Sequence, residues 1–357
     1  MTKSPRLTVV EVSGSYASMG TALGKKCRPM ALRKIDRIKA DMRRRGRQWD
    51  KVLSLSDRYL PFAEGHDPGF IEFVEGYAHG ANLDFREVFA ELCSDESGMC
   101  TDLLVNQDVT EDGQVLSAHT EDWDTADEKN LVLIRARPKG APSFLAMSLA
   151  GLGIDLGLNS KGIGFTGNSL YQSDMRVGVP KRALPLKILS SATLGEAISA
   201  AFPDDRGSSY CQNFCHASGE LYSVEGSATD FEALHAANGY LVHTNHYLSD
   251  RMRRYETLFR GRASNTPALG SGSLLRHNRA SRLLMAELGK VTEDTLARIL
   301  SDHFNRPNSI CCHEDVSLPP HERWKTLYSV IMDPVGLRMR ICPGNPCRGR
   351  YSEYRLK

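Results

Sequence analysis

From residue 114 onward, short apolar runs alternate with turn residues. The runs at 115–119, 131–137, 144–149 and 162–166 stand at hairpin-like spacing and predict antiparallel strands. Further strand-like runs occur at 210–216, 220–225 and 240–245, while 327–332 and 337–341 flank a turn at Asp333-Pro-Val-Gly336. The chain before residue 93 reads differently. A short strand over 7–12 leads into a helical region opened by Gly20 and Gly24, where small residues permit close helix packing. Leu32, Ile35, Ile38 and Met42 recur at helical spacing there, and helical patterns follow at 68–79 and 85–92. They return at 181–190, 194–201, 274–288 and 292–303. Strands and helices in blocks around hairpins predict sheet layers covered by helices, an α+β fold.

Composition changes this picture little. The 357 residues are 41% hydrophobic and 25% charged with no low-complexity tract, so one large domain, folded throughout, is expected. A net charge of +2 excludes a whole-protein field that would draw nucleic acid. Charge is concentrated locally: residues 25–51 hold twelve Lys/Arg against three Asp, which reads as a solvated helix face or as a phosphate-docking surface for a ligand such as coenzyme A. The run at 7–12 contains Glu11 and lacks the apolar core of a secretory signal, and no stretch approaches the ~20 apolar residues of a membrane span. A cytoplasmic protein without a membrane partner is expected. Nine scattered cysteines, an odd number, point to reduced thiols rather than a disulfide framework.

The candidate chemistry begins at Gly98-Met99-Cys100-Thr101-Asp102, where the helical part gives way to strands. A lone cysteine is by default a packed thiol. Glu121, Asp122 and Asp124 form an acidic cluster that favours a cationic amine substrate or faces water, and without a histidine at ligand spacing it is weak evidence for a metal. On a strand through 242–247, His243 and His246 would point to opposite faces, which disfavours a shared zinc ion. Cys311 and Cys312 read as core thiols, and Cys342/Cys347 lack a C-x-x-C pattern. Gly151-x-Gly153 imitates a dinucleotide-binding turn but is followed by a strand rather than a helix.

Several separated blocks, in order along nearly the whole chain, resemble the acyl-coenzyme A:6-aminopenicillanic acid acyltransferase (isopenicillin N acyltransferase-like) family of N-terminal nucleophile hydrolases. They are Gly14 to Gly24, Glu75 to Ala81, Met99-Cys100-Thr101, Asp122-Trp123-Asp124, Leu158 to Ile163, Gly178 to Pro180, Val242 to His246 and Ser309-Ile310-Cys311. The resemblance implies a four-layer αββα sandwich and a precursor that cuts itself between Met99 and Cys100. Fragments 1–99 and 100–357 would remain associated as a heterodimer within one structural domain. Cys100 becomes nucleophile and new N-terminus, its α-amine serving the thiol as base near neutral pH. Asp124 inherits the carboxylate that arranges the processed terminus, and Asn245 the amide that donates to the oxyanion. Asp122, Thr166, Asn168 and His243 are candidates for contacts to the substrate, and Gly164 to Asn168 for the acyl pocket. No cofactor or metal is expected. Two positions depart from the family pattern: Asp122 stands where Asn is common, and Cys312 where an Arg holds the active-site carboxylate, leaving His313 or Arg306 as stand-ins.

The implied function is hydrolysis of N-acyl amines or N-acyl amino acids through a Cys100 acyl-thioester. An acyl-coenzyme A-dependent N-acyltransferase is the alternative. From another class, the departures also fit an unprocessed, catalytically silent small-molecule binding protein.

Overall fold

The structure, a computed structural model, describes residues 6–93, 98–259 and 268–356. The first part is β1 (Thr8–Gly14), α1 (Tyr16–Arg44), α2 (Trp49–Ser56), α3 (Leu60–His66), α4 (Pro68–Ala81) and α5 (Phe85–Leu92). Then come β2 (Met99–Val105), β3 (Leu116–Asp124), β4 (Leu131–Pro138), β5 (Phe144–Leu149), β6 (Gly153–Asn159), β7 (Ile163–Ser169), α6 (Leu184–Ser190) and α7 (Leu194–Ala201). The remainder is β8 (Tyr210–His216), β9 (Leu221–Gly226), β10 (Phe231–His235), β11 (Tyr240–His243), α8 (Ala268–Met285), α9 (Glu293–Leu300), β12 (Trp324–Asp333), β13 (Arg338–Pro343) and β14 (Ser352–Arg355).

These strands make two sheets, an eight-stranded one ordered β1-β4-β5-β6-β7-β8-β9-β10 and a six-stranded one ordered β11-β2-β3-β12-β13-β14. Strand alternation sorts the side chains into layers. On β4, Val132, Ile134 and Ala136 face a core shared with α1, α4, α5, α6 and α7, while Leu131 and Leu133 face the other sheet. Leu145 and Met147 of β5 join that inner core, where they meet Tyr328, Val330 and Met332 of β12. Ile331 of β12 and Leu103 and Val105 of β2 point outward to α8 and α9. The result is the expected four-layer αββα sandwich. Among the described residues no helix is long and apolar enough to cross a membrane.

The helical layer is tight because glycines face backbones. A Cβ on Gly20 or Gly24 of α1 would strike the Phe73 or Tyr77 carbonyl of α4, and one on Gly76 or Gly80 would strike the Ala17 or Thr21 carbonyl of α1. The predicted close approach is therefore reciprocal. The basic helical run is broken after Arg44, where Gly46 adopts a positive φ of 68° that ends α1 before α2 begins. Its charges are largely engaged: Lys34 pairs with Glu91 at 3.0 Å, Lys39 with Glu87, and Arg37 with Asp124 and Asp127.

β1 runs parallel to β4 with seven residues in register, Thr8 opposite Val132 through Gly14 opposite Pro138. Three strands, β2, β10 and β14, lie outside the runs read from the sequence. All seven residues of β2 are buried, so the polar-apolar alternation that marks a half-exposed strand is missing from it. β10 and β14 are short, exposed edge strands.

Candidate active site

Cys100 is the second residue of β2, between β11 and β3. It pairs across the ladder with Glu121, so its side chain points inward between the sheets, as does that of Asp102. The thiol is buried, and Glu121 Oε1 is 3.8 Å from Sγ. His119, also on this face, is held on both ring nitrogens, by the Asp102 carboxylate at Nδ1 (3.1 Å) and by Glu121 Oε2 at Nε2 (3.1 Å). Burial alone would keep the ring neutral, but the two carboxylates outweigh it and raise its pKa to about 10. Cys100, His119 and Glu121 lie within 4.8 Å of one another, with both ring nitrogens of His119 already engaged by carboxylates. Burial, then Glu121, Asp102 and Asp122, push the Cys100 thiol well above its usual pKa, with Arg276 opposing.

The main chain around Cys100 is gripped from the loop after β11. Asn245 Oδ1 accepts the Cys100 N–H at 2.9 Å, while its Nδ2 donates to the Gly98 carbonyl at 3.3 Å and to the Ser169 carbonyl at 3.2 Å. Gly98 N–H in turn donates to Ser169 Oγ at 3.2 Å. β11 ends at His243, so Asn245 lies beyond the ladder, its main chain anchored by its backbone N–H, which donates to Ser273 Oγ at 2.9 Å. Arg276 of α8 completes the grip. It donates to the Cys100 carbonyl, to Thr101 Oγ1 at 2.9 Å and to Asn245 Oδ1 at 2.8 Å.

Arg276 is the residue that sequence reasoning missed. It is the cation beside the junction, where the family's Arg gives way to Cys312, and it lines one cavity with Asp122 and Cys312. Of the suggested stand-ins, His313 borders the same cavity, but its Nε2 meets Cys311 and His303 rather than a carboxylate, and Arg306 lies beside His313. No short motif marks Arg276; it arrives through the packing of α8 on β2.

Four of the expected site residues lie away from the thiol and the cavities beside it. Asp124 does not turn to Cys100. It ends β3 and caps the following turn, bonded to Arg37 Nη1 at 2.5 Å and to the Ala126 amide at 2.8 Å. Glu121, Asp102 and Asp122 are the carboxylates around the thiol. Thr166, Asn168 and His243 are fully buried and do not line a cavity found at the junction. Thr166 Oγ1 donates to Asp102 at 2.6 Å, and Asn168 Oδ1 accepts from Asn213 at 2.7 Å and faces His243 Nδ1 at 3.1 Å, whose Nε2 meets Glu225 at 2.8 Å. They form a polar network behind the nucleophile; alternation on β7 turns Thr166 and Asn168 from the cleft, which Phe165 and Gly167 border instead.

Asp122 does reach a cavity, of about 150 Å³, shared with Met99, Arg276, Ser309, Cys312 and Trp324. It is buried, not facing water, and burial raises its pKa to about 7 against the pull of Arg276 and the Thr326 hydroxyl, which donates to Oδ1 at 2.6 Å. Its Oδ2 has no hydrogen-bond partner among the described residues. The cavity touching Cys100 itself is only about 20 Å³, room for about one water.

The family model of acyl-coenzyme A:6-aminopenicillanic acid acyl-transferase matches residues 109–348, two thirds of the chain. The chain belongs to that family. Its matched span begins after Cys100 and includes Asn245 and Arg276. Among curated relatives, the acyl-coenzyme A:6-aminopenicillanic-acid-acyltransferase 40 kDa form of Emericella nidulans is 26% identical over 289 residues, 78% of this chain and 76% of the relative. Among solved structures, a variant of the conjugated bile acid hydrolase from Clostridium perfringens aligns with a TM-score of 0.47 at 13% identity, over 72% of this chain and 97% of that one. Penicillin V acylase from Agrobacterium tumefaciens aligns with a TM-score of 0.46 at 14% identity, over 68% and 83%. Membership in the acyl-transferase family makes the protein an enzyme of the acyltransferase kind.

Proposed function

We propose that the protein is a self-processing cysteine amidohydrolase, which cuts its own chain between Met99 and Cys100 and then cleaves N-acyl amines or N-acyl amino acids through a thioester on Cys100. The observation that carries this reading is the grip on three consecutive peptide groups: Asn245 holds the Gly98 carbonyl and the Cys100 N–H while Arg276 holds the Cys100 carbonyl. Such convergence on the backbone of one buried junction fixes a reacting bond, as a preorganised site must.

In the uncut chain, the Cys100 sulfur attacks the Met99 carbonyl carbon through a five-membered ring. The C–S bond forms, the Met99–Cys100 C–N bond breaks, and the thiol proton passes by way of Glu121 to the departing nitrogen. Water then adds to the thioester and breaks the C–S bond, leaving a Met99 carboxylate and a free Cys100 α-amine and thiol. The small cavity at Cys100 has room for that water. In the cut enzyme the α-amine, with an ordinary pKa near ~8, takes the thiol proton, and the Asn245 carbonyl oxygen that held the amide holds the amine. Departure of Gly98 frees Asn245 Nδ2 to meet the oxyanion of each new substrate.

Met99 is the acyl half of this first, internal substrate. The cavity it borders is therefore the acyl site, and buried Asp122, with Oδ2 unbonded, supports acyl groups that carry a hydrogen-bonding or cationic head. Hydrolysis is favoured over coenzyme A-dependent transfer because three cations of α1, Lys34, Arg37 and Lys39, are spent on ion pairs with Glu91, Asp124, Asp127 and Glu87.

Intact mass of protein purified without protease tests the reading. Wild type is expected as two fragments split before Cys100, Cys100→Ala as one chain, and the cut enzyme as active on a panel of N-acyl amines without any acyl-coenzyme A. A single uncut chain with amidase activity would overturn self-processing. Strict dependence on an acyl-coenzyme A donor would replace hydrolase by transferase.

A further inference from the structure

Away from Cys100, four metal-binding side chains converge from three stretches of chain. His303 follows α9, Cys311 and His313 lie in the loop before β12, and Cys347 lies between β13 and β14. Their donor atoms lie within 4.8 Å of one another. Cys311 Sγ is 3.6 Å from Cys347 Sγ and 3.5 Å from His313 Nε2, which is 3.5 Å from Cys347 Sγ and 3.1 Å from His303 Nε2.

These separations match the edges of a tetrahedron around zinc. Metal bonds of ~2.3 Å to sulfur and ~2.05 Å to nitrogen put ligands roughly 3.8 Å apart for two sulfurs, 3.5 Å for sulfur and nitrogen, and 3.3 Å for two nitrogens. A disulfide needs sulfurs at ~2.05 Å, and both cysteines are free. Two imidazole nitrogens 3.1 Å apart, with two thiols against them, make a poor hydrogen-bonded cluster, since at most a few of these contacts can carry a proton, whereas a cation satisfies all four donors at once.

The surroundings fit as well. Asn345 Nδ2 donates to Cys311 Sγ at 3.4 Å, and the Cys347 amide hydrogen-bonds the same sulfur, the N–H···S contacts that support a metal-bound thiolate. Arg306, Arg348 and Lys325 surround His313, a neighbourhood that opposes a bare divalent cation. Two thiolates cancel that charge. A hard, oxygen-preferring ion is excluded by the donor set, and tetrahedral S₂N₂ selects zinc.

We infer that His303, Cys311, His313 and Cys347 form a four-coordinate structural zinc site. With four protein ligands the ion has no open position, so it holds chain rather than substrate. It ties the end of α9 and the β13–β14 connection to the loop whose Ser309, Cys312 and His313 wall the cavity beside Asp122 and Arg276. Asn345 adds to the same knot by donating to the Cys312 carbonyl at 2.6 Å. The spacing along the chain, with Cys347 far from the other three ligands, hides the set from motif reading.

The test is elemental analysis of the full chain expressed with added zinc and purified without chelator. Wild type is expected to carry about one zinc per chain, and Cys347→Ser and His303→Ala to lose it at least about tenfold on gel filtration. His303 is exposed, so its variant keeps the test open if Cys347→Ser fails to fold. Cobalt added to the stripped wild type is expected to give thiolate-to-cobalt charge-transfer and tetrahedral ligand-field bands, both absent in Cys347→Ser or, should that variant not fold, weakened and shifted in His303→Ala. Folded wild type without stoichiometric zinc and without those bands, or a Cys311–Cys347 disulfide in peptide maps, would overturn the assignment. None of these readouts depends on cleavage before Cys100.

Discussion

The backbone amide of Cys100 donates to the side-chain oxygen of Asn245 at 2.9 Å, across 145 residues of sequence. The same side chain holds the Gly98 carbonyl with its nitrogen, so a single amide group spans the Met99–Cys100 bond from both sides. In the proposed mechanism its two ends have opposite tasks: the oxygen positions the leaving nitrogen, and the nitrogen awaits a developing negative charge.

Asn245→Ala is therefore expected to slow self-cleavage and, in protein that has been cut, to lower turnover by roughly 100- to 1,000-fold, about 2.7–4 kcal/mol of transition-state stabilisation. Activity normalised to the free Cys100 terminus measures this separately from processing. Near-wild-type turnover in fully cut Asn245→Ala would remove the residue from the mechanism.

Arg276 is buried, and its loss removes a donor from the Cys100 carbonyl and one of the two donors to Asn245 Oδ1 while depriving Asp122 of the charge that favours its ionised form. Arg276→Met is expected to cost about 3 kcal/mol of stability, the scale for breaking a buried charge arrangement. Adding Asp122→Asn should recover part of that loss, because the stranded acid is then gone. Thermal unfolding of the two single variants and the double variant gives the coupling, and strict additivity would mean that the two groups are independent.

His119 has a folded pKa raised from 6.5 to about 10. A raised pKa means that the folded state binds this proton more tightly than the unfolded chain, so the stabilisation is fully present below pH 6.5 and is lost as pH rises through about 10. Wild type is expected to lose stability across that window more steeply than His119→Gln in denaturant titrations at stepped pH. Parallel curves would show that the imidazolium is not held between Asp102 and Glu121.

Gly24→Ala would drive a methyl group into the Tyr77 carbonyl of α4, while Gly65→Ala in α3 meets open space. The first is expected to destabilise by about 1–3 kcal/mol, as overpacking does. The second should be neutral or stabilise by up to about 1 kcal/mol, because alanine is the better helix former. Paired melting curves check both signs.

Much of the layered architecture was legible because β4, β5 and β12 are rich in apolar residues bounded by turns, and α4 and α5 carry helical periodicity between capping aspartates, Asp67 and Asp84. Cys100 and Asn245, picked out from two separate local motifs, meet in the structure on adjacent chain segments of the six-stranded sheet and its loop. Asp124 was placed by motif alone, and a motif fixes residue type but not rotamer or partner. Only the packing of α1 against β3 shows that Arg37 takes its carboxylate. Arg276 and the His303–Cys347 cluster were hidden for the complementary reason that their members meet through tertiary packing without a spacing rule.

The parallel pairing of β1 with β4 has a thermodynamic consequence. These strands lie on opposite sides of Cys100, so a cut there leaves seven residue pairs of main-chain ladder, together with the shared core of α1, α4 and the eight-stranded sheet, as the bond between two separate polypeptides. Unfolding of the cut protein is then also a dissociation. Its midpoint rises with protein concentration while that of uncut Cys100→Ala does not, and dilution becomes a denaturant to which only the mature form is sensitive.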